Sequence, residues 1–339
     1  LLIPWAWKES SKAELDVATA TAFLAFGEHQ LCIYLDHYAD VLVLHGKEKI
    51  PFSFKMPAYL SSEDPEHGLG YPEAQQKEEG GFRILLQKTT TSFYYGILIY
   101  QKNKSSYVTL FKGMDGQENA IRKAKNLLRA YAAEASSHYR KHCSYWRSYF
   151  KTSSLSTGEA LLDRLYLLSR YFFACNSGKT YPASLQGVWT SAAGHLPPWK
   201  GDYHLDINLE MEYESYLQNG NFAEGRTLVD YLWAKRKAFA SLAKDFYHVP
   251  GLMIPGVMTP DGAPLGGWPM YAFDPANAIW ISKAFDEYYR YFGGISFLKA
   301  RAYPFFKELE KGIRGLLVEK DGSLQFPLAA SPEMNDDTP

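Results

Sequence analysis

Three stretches of this sequence concentrate side chains that could do chemistry. The first begins with Pro182-Ala183-Ser184-Leu185-Gln186-Gly187-Val188-Trp189 and resumes, after a gap, at Pro197-Pro198-Trp199-Lys200-Gly201-Asp202-Tyr203-His204-Leu205-Asp206-Ile207-Asn208-Leu209-Glu210-Met211. Trp189, Trp199, His204, Asp202, Asp206 and Asn208 are a dense set for what reads as a loop. Indole and imidazole rings can stack on a sugar face and hydrogen-bond its hydroxyls, while Asp and Asn can hold a hydroxyl or a water. The plainer alternative is that Asp206 or Asn208 caps a helix starting near Glu210. The second stretch, Gly262 to Met270, contains Gly266-Gly267-Trp268 ahead of a helix near Pro275. It presents either a ring at a helix entrance or a tight turn with a packing Trp. The third is Ala329-Ala330-Ser331-Pro332-Glu333-Met334, after a candidate strand at Leu324–Leu328. A Glu fixed after Pro could serve as a general acid if partly desolvated, or be a solvated surface carboxylate.

These stretches need elements to position them. Up to about residue 112 the chain reads as strands: Thr19–Ala25, Leu31–Leu35, Val41–Leu44, Phe82–Gln87, Phe93–Tyr100 and Val108–Phe111, separated by turn clusters such as Gly27-Glu28-His29 and Glu79-Gly80-Gly81. Their spacing predicts an antiparallel β-sandwich over 1–114, with Ser61–Gln76 as a long surface loop. The period turns helical at Asp115-Gly116, and 115–154 reads as a linker of one or two helices. Further helices are expected at Leu161–Cys175, apolar on one side through Leu161, Leu165, Leu168 and Phe172, and at Glu210–Gln218, Phe222–Tyr247, Pro275–Phe292 and Leu298–Glu319. The loops at 176–207 and 248–274 are long for a compact domain, which marks them as functional candidates.

Composition narrows the partners. A net charge of −1 with 46% hydrophobic and 22% charged residues gives no electrostatic footprint for nucleic acid or an anionic membrane surface. Cys32, Cys143 and Cys175 lie far apart without CxxC spacing, so neither a metal site nor a disulfide framework is indicated, and nothing in the sequence calls for a cofactor. No apolar run is long enough to span a bilayer. Aromatic residues make up 16%, enough to supply both core packing and sugar-stacking platforms, and composition cannot separate the two uses.

Taken in order, the three motifs resemble glycoside hydrolase family 95, a family of inverting α-L-fucosidases and α-L-galactosidases. Pro182–Trp189 is similar to its PAxLQGxW segment, Pro197–Trp199 with Asp206–Met211 to its PPW and Asn-x-Asn-x-x-Met segments, and Ser331–Glu333 to its Ser-Pro-Glu loop. Glu14-Leu15-Asp16 looks like an early strand of the family's β domain. The resemblance implies that 155–339 is the first half of an (α/α)6 barrel, that Glu333 is the general acid, and that Asn208 positions the attacking water. Asp206 stands where the family has the first Asn, which leaves it either a partner of Asn208 or itself the base. The family's own base lies in a later segment, expected beyond Pro339. Trp189, Trp199, His204 and Trp268 are the expected sugar-pocket residues, with a glycan as substrate and a secreted or periplasmic setting. A catalytically inactive carbohydrate-binding homologue and a glycoside phosphorylase on the same barrel are the alternatives.

Overall fold

The computed structural model describes all residues except 1–2, 6–10, 65–67, 179, 188–200, 266–273, 328 and 330–339. Trp189, Trp199, Trp268 and Glu333 therefore lie outside the described residues. The chain divides into two units, one built on residues 1–154 and the other from 155 onward.

The first unit contains strands β1 (Lys12–Asp16), β2 (Thr21–Phe26), β3 (His29–Leu35), β4 (Leu42–Gly46), β5 (Gln75–Glu79), β6 (Phe82–Lys88), β7 (Tyr94–Lys102) and β8 (Ser105–Gly113), most of them rich in β-branched, aliphatic or aromatic residues. All pair antiparallel in the order β1-β2-β3-β4-β8-β7-β6-β5. The sandwich reading is thus met as one continuous sheet rather than two hydrogen-bonded layers. The reason lies in what covers it. One face buries Ile84, Leu98, Tyr107 and Phe111 against Ala124, Leu128 and Tyr131 of helix α1 (Gln117–Ala133). The other packs Leu31, Leu44, Ile99 and Val108 on Ile50 and Phe52 of an irregular segment. Helix α2 (Ala135–Lys151) follows, and its buried His142 bonds the Thr19 carbonyl at 2.8 Å. β5 falls partly inside the segment read as a loop. Its sequence Gln-Gln-Lys-Glu-Glu is exposed at every position, as suits a charged edge strand, and carries no apolar alternation to detect.

Gly96 in β7 is fixed by space. A Cβ there would overlap the backbone carbonyl of Leu85 and the Phe111 ring. Gly96→Ala is expected to destabilise this unit by about 3 kcal/mol, the upper part of the usual overpacking range. Urea unfolding should show a lower midpoint with an unchanged slope.

The second unit is helical, with α3 (Ala160–Asn176), α4 (Asn208–Glu212), α5 (Ser215–Asn219), α6 (Phe222–Ala234), α7 (Arg236–Asp245), α8 (Pro275–Tyr288) and α9 (Tyr303–Leu316). The expected helix at 210–218 is two short ones, and that at 222–247 breaks at Lys235. Wide π-type turns at Tyr289–Gly293 and Leu298–Ala302 flank a short helical turn, Gly294–Phe297, and join α8 to α9. Gly294, at φ +60° and ψ −171°, takes a backbone conformation that favours glycine. The two helices meet through Phe285 and Phe305, whose stacked rings lie 4.2 Å apart, in a core with Leu209, Leu232, Phe239 and Met253. The leucine face of α3 departs from expectation. Leu161, Leu165 and Phe172 are exposed, and the residue α3 buries is Arg170, whose guanidinium lies 5.5 Å from the Tyr166 ring centre. No described helix is long and apolar enough to cross a membrane.

Candidate functional site

The long loops are held together by a two-stranded ribbon. β9 (Tyr203–His204) pairs with β10 (Val257–Met258), His204 opposite Val257. The Leu205 N–H donates to Gly256 O at 2.8 Å, continuing the ribbon. Leu265 N–H donates to Val257 O at 3.0 Å, and Met258 bridges to Pro264, so the described start of the second motif docks on β10. On the other side, Leu185 N–H donates to Asp202 O at 3.3 Å, and the Tyr203 hydroxyl donates to Pro182 O at 3.1 Å. The Tyr213 hydroxyl accepts from Ala183 N–H at 3.2 Å. Described parts of the first two motifs therefore converge on one ribbon.

Asp206 and Asn208 sit at its exit, where the chain enters α4. The helix starts after Ile207 and has no side-chain cap, so neither Asp206 nor Asn208 serves in the capping role that their position allowed. One Asp206 carboxylate oxygen, Oδ1, is shielded from solvent without a hydrogen-bond partner among the described residues. His204 is buried, with Nε2 3.2 Å from Asp202 Oδ1, and both side chains are almost fully enclosed. Sequence reading counted Asp202 among the polar residues of the loop but did not pair it with His204. The spacing of two along an extended segment, which places both side chains on one face, was the available signal.

Glu210, one helical turn beyond Asp206, was also passed over. Only 7% of its surface is exposed, and neither carboxyl oxygen finds a partner among the described residues. Burial pushes its pKa up to about 8, and the neighbouring carboxylates of Asp206, Glu212 and Asp274 add to the rise. At neutral pH Glu210 is thus largely an uncharged acid. Burial also raises Glu212, to about 7. Asp274 caps α8, accepting from the Ala276 and Asn277 N–H groups at 3.1 and 3.3 Å, and burial raises its pKa in turn. Asn277, buried on the first turn of α8, faces the Leu205 carbonyl with its amide nitrogen while its oxygen accepts from Gly256 N–H at 3.1 Å. It ties α8 to the ribbon. A cluster of carboxyl groups enclosed at a junction of loops, one of them held neutral, is suited to holding and moving protons.

Residues 118–338 match the glycosyl hydrolase family 95 catalytic domain. The chain belongs to that family. Among curated relatives, "Alpha-L-fucosidase 2" of Arabidopsis thaliana is 31% identical over 179 residues, which is 51% of this chain and 21% of the relative. "Probable alpha-fucosidase A" of Aspergillus niger is 26% identical over 255 residues, 66% of this chain and 31% of the relative. The matched regions thus span between a fifth and a third of those relatives' lengths. A solved structure, "Putative kojibiose phosphorylase from human microbiome", superposes with a TM-score of 0.70 over 93% of this chain and 47% of its own, at 14% identity. It supports the architecture, a sheet followed by helices, and fold alone. The family match begins in α1 and runs through every motif on the ribbon.

Proposed function

We propose that the chain carries the β domain, helical linker and first half of an (α/α)6 barrel of an inverting glycoside hydrolase. Its substrate is a terminal α-L-fucosyl or related α-L-galactosyl unit of a glycan. The observation that carries this reading is the Asp206–Asn208 turn, set where the first and second motif loops meet the β9–β10 ribbon and followed within one turn by the enclosed acid Glu210. The two fucosidase relatives support the substrate class. The exposed leucine face of α3 supports a fuller helical barrel than these helices alone make.

In this reading Glu333 gives its proton to the leaving glycosidic oxygen as the C–O bond breaks. A water on the opposite face of the sugar, oriented by Asn208 with Asp206, attacks the anomeric carbon. Its proton passes to a carboxylate base, and inversion requires about 6.5–9.5 Å between acid and base so that the water fits. The base is the family's later Asp, or in a variant of the scheme Asp206. His204, Trp189, Trp199 and Trp268 line the sugar pocket, and His204 is oriented by Asp202.

Incubation with aryl α-L-fucosides and α-L-galactosides, followed by proton NMR of the first product, tests this. The β-anomer of free sugar is the expected first product. The α-anomer would overturn inversion. Saturable glycan binding without turnover would identify the inactive homologue, and sugar 1-phosphate formed only with phosphate would identify a phosphorylase.

A further inference from the structure

We propose that Trp233, Arg236 and Arg301 form a binding site for an oxyanion, the carboxylate of an acidic sugar or a phosphate group. Trp233 lies in the last turn of α6, Arg236 opens α7 across the break at Lys235, and Arg301 comes from the π-type turn Leu298–Ala302. Three separate elements thus bring their side chains to one half-buried indole. The Arg236 guanidinium carbon is 3.2 Å from the ring centre and that of Arg301 is 4.6 Å. Two unit positive charges over one ring lie at most about 8 Å apart, close enough to repel measurably in a partly desolvated setting.

Among the described residues that repulsion has no counter-charge. Arg226, Arg290 and Arg314 in the same unit each pair with a carboxylate four residues away, Asp230, Asp286 and Glu310. Arg236 and Arg301 have no carboxylate within ion-pair distance among the described residues. The sequence withholds one at helical spacing too. Residues three and four away on either side are Leu232, Trp233, Phe239 and Ala240 for Arg236, and Phe297, Leu298, Pro304 and Phe305 for Arg301. Arg236 donates to the Trp233 carbonyl and Arg301 to the Ala300 carbonyl at 3.4 Å, which leaves most of their N–H groups for a ligand. Burial first, and then Arg301, lowers the pKa of Arg236. The negative face of the indole offsets part of the cost of bringing the two cations together. A planar or tetrahedral oxyanion engaging both forks would offset more, and guanidinium groups are shaped for that contact. A π-type turn at the position of one ligand fits the usual placement of such turns at binding sites.

Calorimetric titration of the purified protein at constant ionic strength tests the site, with sodium phosphate and sodium glucuronate as probes and sodium chloride and glucose as controls. Saturable binding of an oxyanion probe, absent with both controls, is expected, as is about ten-fold weaker binding in Arg301→Gln with an unchanged far-ultraviolet circular dichroism spectrum. Arg236→Gln provides a second variant should Arg301→Gln not fold. Binding of glucuronate alone assigns the site to an acidic sugar, and binding of phosphate alone to a phosphoryl group. Absence of saturable binding by either probe, or undiminished binding in a folded variant, overturns the proposal. Neither result depends on whether the protein hydrolyses fucosides.

Discussion

Glu333→Gln is expected to cut turnover of an α-L-fucosyl disaccharide by about 100- to 10,000-fold, the usual contribution of a general acid. An alkoxide leaving group departs slowly without a proton, and the amide that replaces the carboxyl has none to give at the required acidity. A dinitrophenyl α-L-fucoside releases a stable phenolate and depends little on protonation, so its turnover should fall far less. Steady-state kinetics on the two substrates with both proteins measures the difference. Equal loss on both would mean that Glu333 acts in binding or folding. Full activity on the disaccharide would place the acid elsewhere in the protein.

The second large effect concerns Glu210 and pH. In an unfolded chain its carboxyl titrates near 4.5, whereas in the folded protein burial and the surrounding carboxylates carry it to about 8. Below 4.5 both states hold the proton, and the contribution to stability is at its maximum. As pH rises from 4.5 to 8 the unfolded chain loses the proton while the folded one must keep it, so folding is progressively disfavoured. Each unit of pH across that window costs about 1.4 kcal/mol for a fully shifted group, and the loss levels off above 8. Glu212, raised to about 7, adds a shallower loss of the same sign. Glu210→Gln removes the titration but keeps the shape. The variant is expected to gain stability over the parent steadily between pH 5 and pH 8, relative to the difference at pH 4. Thermal melts across that range should show it as a widening gap of about 2–4 °C for each kcal/mol. A gap that stays constant with pH would mean that Glu210 is charged in the folded state and reaches a cation or solvent.

Much of this molecule was legible before its structure. The β-branched and aromatic runs at 31–35 and 82–87 fall within observed strands, and the run at 93–100 begins one residue before β7. These strands read as near-continuous apolar runs because both sides of the sheet are buried, by α1 on one side and by Ile50 and Phe52 on the other. The three motifs, in order, led to the family that the match over 118–338 establishes. β5 was hidden because an exposed, charged edge strand has no apolar period. The breaks at 213–214 and Lys235 were hidden as well, since the apolar face continues through them while the backbone does not.

The amino-acid sequence by itself determined the order of the elements and the motif residues Asp206 and Asn208. Local pattern suffices for these because neighbours along the chain set strand and helix period. What only the tertiary structure decided is the environment of each polar group. Glu210 and Arg314 are equally ionisable in the sequence, yet one is enclosed among carboxyls and the other is an exposed ion pair. The enclosure of His204 beside Asp202 arises only when β9 pairs with β10, which residue type alone does not reveal. Arg236 and Arg301, distant in sequence, share one indole only because α7 and the turn before α9 come together there. Desolvation and charge proximity are properties of what the fold brings near, and they have no period along the chain for a sequence to display.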